Sequence, residues 1–146
     1  MGSEEKGASS MNHRRKFLLI AVIVILTVGV VLTTTRVYSA GQLRALEGQV
    51  VYATPEDGMR ELIASYYSGV DKVEIVHADK EIFDDLRFVE AHVWAASRSD
   101  GKGFSGRDYD NPGCFFLLVQ NGWVFIPEGK FPEIIAFGKW FFGLSG

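Results

Sequence analysis

The sequence is poor in cysteine, histidine and proline. Cys114 is the only cysteine in 146 residues, so no disulfide forms within the chain and a disulfide-stapled scaffold is excluded. Whatever folds is held by an apolar core. Three histidines and one cysteine, without a telling spacing, give no zinc motif. Basic clusters are also missing downstream: residues 37–146 hold 10 Lys and Arg against 16 Asp and Glu, a net of −6. Phosphate contacts require a basic surface, so no nucleic acid is expected as a partner. The same acidity argues against adhesion to anionic lipid through charge.

What the sequence has in excess is one apolar run. Phe17 to Thr35, FLLIAVIVILTVGVVLTTT, is 19 residues without a charge. As a helix rising about 1.5 Å per residue it spans roughly 28 Å, close to the hydrocarbon thickness of a bilayer. A helix satisfies its own backbone groups in lipid, which an irregular segment cannot do. The run therefore reads as a single transmembrane helix. Lys6, Arg14, Arg15 and Lys16 precede it, and Arg36 and Arg44 follow. That excess of positive charge places residues 1–16 in the cytoplasm and the remainder outside. A cleaved signal peptide is the alternative and would yield a secreted protein. Its apolar core is usually about 7–15 residues, whereas here the core runs from Phe17 to Leu32. Val37-Tyr38-Ser39 is an acceptable cleavage site, and Tyr38-Ser39-Ala40 carries a bulky residue where a small one is wanted. A retained anchor is the favoured reading.

The chain then divides into a disordered cytoplasmic tail (1–16), the transmembrane helix (17–35), a juxtamembrane segment (36–53) and an extracytoplasmic domain (54–146). Met1-Gly2-Ser3 opens like a myristoylation signal, but Lys6 stands where Ser or Thr is required. In the juxtamembrane segment Leu43, Leu46 and Val50 have helical spacing, while Gln49 to Ala53 could equally form a short strand. About 110 residues suffice for one domain with a real core.

Thr54 to Val70 has the marks of a helix. Thr54 can cap, Pro55 suits the first helical position, and Glu56 and Asp57 favour the positive end of the dipole. Met59, Leu62, Ile63, Tyr66, Tyr67 and Val70 recur at spacings of three and four, with Gly69 able to close the helix. From Asp71 the period becomes two. Val73, Ile75, His77 and Asp79 fall on one face of a first strand. In the next, Val89, Ala91, Val93 and Ala95 alternate with Phe88, Glu90, His92, Trp94 and Ala96; the short connection makes the two strands antiparallel neighbours. Asn121-Gly122 between CFFLLVQ and WVFIP predicts a hairpin with a type I′ turn. Phe131 to Leu144 reads as a C-terminal helix rich in aromatic residues, with Gly138 and Gly143 weakening it in isolation. Cys114 opens an apolar run and reads as a buried small hydrophobe.

The fold class is therefore α+β: an N-terminal single transmembrane helix, then a small domain with a helix packed on an antiparallel sheet and a C-terminal aromatic helix. The element order over residues 54–127, with Asn121-Gly122-Trp123 in the last hairpin, resembles the cystatin-like or NTF2-like superfamily. The aromatic C-terminal helix departs from that pattern. Such folds host enzymes, binding modules and assembly domains alike, so the resemblance implies a fold and not an activity.

Three motifs invite chemistry. Gly101 to Gly106 fits G-x-G-x-x-G, but a dinucleotide site needs a helix directly after it, and Arg107 to Gly113 is rich in turn residues. Asp108, Asp110 and Asn111 suggest a calcium loop, yet Val119 occupies the position of the bidentate glutamate. Glu90, His92 and Asp79 could do acid–base work or bind a ligand if the sheet curved them into a pocket; a solvated strand face is the commoner arrangement. No cofactor or metal is expected. The leading expectation is a non-catalytic binding or assembly module held at the membrane, with another membrane or envelope protein as partner. Phe137, Trp140, Phe141 and Phe142 are the candidate surface, against either the membrane or a partner.

Overall fold

In the computed structural model of the chain the described residues are 5–80, 83–99 and 109–145. The side chains of residues 5–11, 77–80 and 96 are not among them. The chain divides into two compact units, Met1–Val37 and Tyr38–Gly146.

A single helix, α1, runs from Glu5 to Leu46. The tail expected to be disordered is thus helical from Glu5 onward. Once a long apolar run has nucleated a helix, each added residue costs little, and no proline intervenes. Within the first unit the large apolar side chains from Phe17 to Val31 are between 51% and 74% exposed. Thr27 and Thr33 turn their hydroxyls back to the carbonyls of Ile23 and Gly29, each at 2.8 Å, so neither presents an unmet donor to an apolar medium. α1 is long and apolar enough to cross a membrane by length and composition.

The second unit begins at Tyr38, earlier than the expected boundary at residue 54. Leu43 and Leu46, on the last turns of α1, are core residues. Ser39 is fully buried, and its hydroxyl donates to the Ile134 carbonyl at 3.0 Å. Tyr52 then pairs with Trp123 through reciprocal backbone bonds of 2.8 and 2.9 Å. The segment 36–53 is therefore part helix and part bridge, with most of its length built into the domain.

α2 (Pro55–Tyr66) starts as its sequence dictates: Thr54 accepts the Asp57 amide at 3.1 Å, and Pro55 takes the first turn. It ends four residues earlier than the apolar spacing predicts. Tyr67 has an extended backbone and opens strand β1 (Tyr67–Lys80). The cause is the length of β2 (Leu86–Arg98), whose far end offers ladder partners: Tyr67 pairs with Arg98 and Ser68 with Ser97. Gly69 does adopt a left-handed φ of 62°, but inside the strand. β3 (Gly113–Val119) and β4 (Gly122–Ile126) complete an antiparallel sheet ordered β1-β2-β3-β4. α3 (Pro132–Phe142) closes the chain.

Two irregularities break the alternation of β1, between Val70 and Lys72 and between Ile75 and His77. Val73 and Ile75 pack toward the core as expected. Past the second irregularity the phase has slipped, so His77 stands opposite Glu90 and Asp79 opposite Phe88, and the single face expected for Val73, Ile75, His77 and Asp79 does not form. The last hairpin forms where predicted, with a different turn. Gln120 and Asn121 make the turn, Gly122 pairs with Val119, and among the described residues only glycines have positive φ, which excludes a type I′ turn. Gly122 holds φ at 140°, and a Cβ there would lie 2.6 Å from the Tyr52 carbonyl oxygen. The Tyr52 bridge thus requires glycine at this position.

Both faces of the sheet are covered at the β3–β4 end. On one side Met59 and Ile63 of α2 meet Val89, Ala91, Val93 and Phe116. On the other, Leu43 and Leu46 of α1 and Ile135 and Ala136 of α3 meet Leu86, Leu117 and Val124. Gly58 of α2 allows one of the closest approaches, since a Cβ there would meet the Phe116 ring at 2.5 Å.

Candidate functional site

α3 is positioned by its N-terminal proline and its C-terminal glycine. Pro132 sits in the first turn, where its missing N–H costs nothing. Gly143 takes a left-handed φ of 62°, and the Leu144 amide reaches back to the Lys139 carbonyl at 3.1 Å. Gly143 is therefore the helix stop, and no weak point within the helix. Ile135, Ala136 and Gly138 bury one side. The opposite side is uncovered: Trp140 is 68% exposed and Phe141 50%. Phe131 and Ile134 are exposed beside them, and Phe137 and Phe142 are half-buried. Phe137 stacks on Phe141 with centroids 5.3 Å apart, and Trp140 lies 6.3 Å from Phe83. The four aromatic residues expected to form a surface thus divide between two outward rings and two rings that support them.

Lys139 is the only cation on this helix. It turns away from the exposed rings to Asp85 at 2.6 Å and to the Leu118 carbonyl at 2.8 Å. Both charges of that pair are 20% exposed, so the pair anchors α3 to the sheet from a half-dry position. An open groove of about 670 Å³ runs between Phe83, Asp85, Lys139, Trp140 and Leu144. A second cavity of about 340 Å³ lies among Leu43, Leu46, Val51, Val119 and Val124.

Glu90 and His92 share a strand face, as the alternation predicts, but neither cavity includes them. The Asn111 amide donates to Glu90 at 2.6 Å. The His92 ring lies 4.1 Å from the Tyr109 ring at an interplanar angle of 32°, and Tyr109 in turn is 5.1 Å from Trp94. Lys72 lies 4.6 Å over Trp94. These side chains form a row of tilted rings on the sheet surface, beside Glu90, which Asn111 already engages. The register puts Asp79 opposite Phe88, two positions from Glu90; its side chain lies outside the described residues.

Asp110, one of the three residues that suggested a calcium loop, is engaged by two side chains. It accepts from Tyr67 at 2.5 Å and from Arg98 at 3.0 Å, clamping the segment before β3 onto the ends of β1 and β2. Burial, together with the hydrogen bond to Asp110 and its charge, pushes the Tyr67 phenol well above its ordinary value of 10.0. Burial also pushes the Asp110 carboxyl up, but the bonds from Tyr67 and Arg98 outweigh it and leave the group below 3.8. The Cys114 thiol is pushed up to about 11, by burial first and by Glu128 second, which makes it a poor nucleophile. Asp108 and the Gly101–Gly106 motif lie outside the described residues. Among the described residues no three His, Cys, Asp or Glu side chains gather as a metal site would require.

No family model, curated protein or solved structure matches this chain. The resemblance to the cystatin-like and NTF2-like superfamilies therefore gains no support. What stands is an α+β domain preceded by a long apolar helix. Sequence reasoning missed the Lys139–Asp85 anchor and the Tyr67–Asp110–Arg98 clamp. The first had a signal: one cation inside a tail of aromatic residues needs an acid, and Asp84-Asp85 is the paired acid between the first two strands.

Proposed function

We propose that the protein is a single-pass membrane protein with a cytoplasmic N-terminus, whose extracytoplasmic α+β domain is a non-catalytic binding or assembly module. The observation that carries this reading is the outer side of α3. A helix fixed to the core by Ile135, Ala136 and the Lys139–Asp85 pair nevertheless presents Trp140 and Phe141 outward. Large aromatic side chains left uncovered on a well-anchored element mark contact surfaces. The excess of Lys and Arg before Phe17 supports the orientation. The placement of Ser39 supports retention of the anchor. Cleavage after Ser39 would cut the chain at a fully buried residue that bonds to Ile134 and sever Tyr38 from Phe131.

Protease treatment of intact cells, combined with an alkaline wash of their membranes, tests this reading. The expected result is loss of the domain to external protease, with the intact protein staying in the membrane fraction through the wash. Release of a shortened soluble form would overturn it.

A further inference from the structure

We infer that the outer side of α3 seats in the interfacial layer of the bilayer, so that the chain meets the membrane a second time through Phe131, Ile134, Trp140 and Phe141. This inference rests on the anchored reading above. Its first support is the chain itself. Thr35 ends the apolar run and Tyr38 follows three residues later, a reach of at most about 11 Å even fully extended. Tyr38 touches the start of α3: its hydroxyl accepts the Phe131 amide at 3.3 Å, and the two rings are 6.2 Å apart. Whatever direction the domain takes, the start of α3 stays close to the end of the run.

The second support is the chemistry of the surface. Trp140 has an apolar ring and one N–H, the combination that settles at the boundary between headgroups and acyl chains. Phe131, Ile134 and Phe141 add apolar area without polar atoms. Lys139, which could have offered charge to a protein or to an anionic headgroup, is spent on Asp85. Lys130 and Glu133, at the N-terminal end of the surface, cancel. A net charge of −6 in residues 37–146 makes neutral, zwitterionic lipid the matching surface and anionic lipid a repelling one. The tether removes most of the entropic cost of a second contact, so a modest apolar surface is sufficient.

The test uses the full chain in phosphatidylcholine vesicles at low protein-to-lipid ratio. With Trp94→Phe and Trp123→Phe, Trp140 is the only indole. Acyl chains brominated near the headgroup should quench its fluorescence by about twofold or more, with a blue-shifted emission maximum. About 0.5 M salt should leave the quenching unchanged, because the contact is apolar. An emission maximum typical of water without quenching would overturn the inference. So would a blue-shifted maximum without quenching, which would mean that protein, including a second copy, covers the surface. Should the double variant fail to fold, the natural sequence and Trp140→Phe are compared: the quenchable component should disappear with Trp140, and its persistence would overturn the inference. A chain that resists alkaline extraction while Trp140 stays unquenched refutes this inference alone; a chain that washes out of the membrane refutes the anchored reading.

Discussion

At the scale of single residues, Asp110 ties together three parts of the chain that are far apart in sequence. Its effect on stability has a definite pH signature. Its carboxyl is held below 3.8 in the folded state, so the stabilisation is complete above that value and is lost as pH falls through the lower, folded one. Tyr67 is held above 10.0, so its contribution is complete below that value and is lost as pH rises beyond it. The domain should therefore have a melting temperature that is flat around neutral pH and falls at both extremes. Tyr67→Phe should cost about 1.5–3 kcal/mol at neutral pH, the range for a hydrogen bond to a charged group. It should also remove the alkaline decline due to this phenol and shrink the acid decline due to Asp110. Melting curves of the two proteins across the pH range check this, and superimposable profiles would refute it.

At the scale of elements, what the sequence made legible was local. The cap at Thr54, the acidic first turn and the apolar spacing locate the start of α2 because every one of those signals acts within one or two turns. The end of α2 was not legible, because Tyr67 to Val70 are claimed by partners near Arg98. The last hairpin shows the same division. Two apolar runs around Asn121-Gly122 specify that a hairpin forms, but Tyr52, distant in sequence, decides which residues make the turn. Gly122→Ala tests that account. The new Cβ would sit 2.6 Å from the Tyr52 carbonyl at a φ of 140°, so a loss of roughly 2 kcal/mol or more is expected from strain and overpacking. Hydrogen exchange should show the Tyr52 and Trp123 amides losing protection before those of β2. Uniform loss across the sheet would instead mean that the bridge is not the weak point. For the candidate surface, the sequence placed aromatic residues on α3 but could not say which side the core would take. The core takes the side that carries Ile135, Ala136 and Gly138.

At the scale of the molecule, the boundary between the two compact units lies inside a helix, between Val37 and Tyr38 of α1. The helical spacing of Leu43, Leu46 and Val50 was legible in the juxtamembrane segment, but which partners the two leucines meet was not, because Leu86, Leu117 and Ile135 lie far along the chain. A chain beginning at Tyr38 keeps Ser39, Leu43 and Leu46 and should fold as a soluble domain with a cooperative thermal transition. A chain beginning at Thr54 lacks both leucines and the Tyr52–Trp123 bridge. Removing two buried leucines costs about 2–5 kcal/mol each, enough to exhaust the stability of a domain this size. It should bind hydrophobic dyes and melt without cooperativity. Cooperative melting of the shorter chain would show that the end of α1 is dispensable.

The bond from Ser39 to Ile134 joins residues 95 apart, and that separation sets an order of events during synthesis. The last turns of α1 are made well before α3, the helix that packs beside them. At about 5–20 residues per second this leaves roughly 5–20 s in which Leu43 and Leu46 lack Ile135 and Ala136. One sheet face can assemble against α2 as β2 and β3 appear. The other waits for α3. A chain stopped short of Pro132 thus carries a finished half and an open half, and the open half is apolar. A chain truncated before Pro132 is therefore expected to bind hydrophobic dyes through Leu43, Leu46 and Leu117, and dye binding no greater than that of the natural chain would refute this.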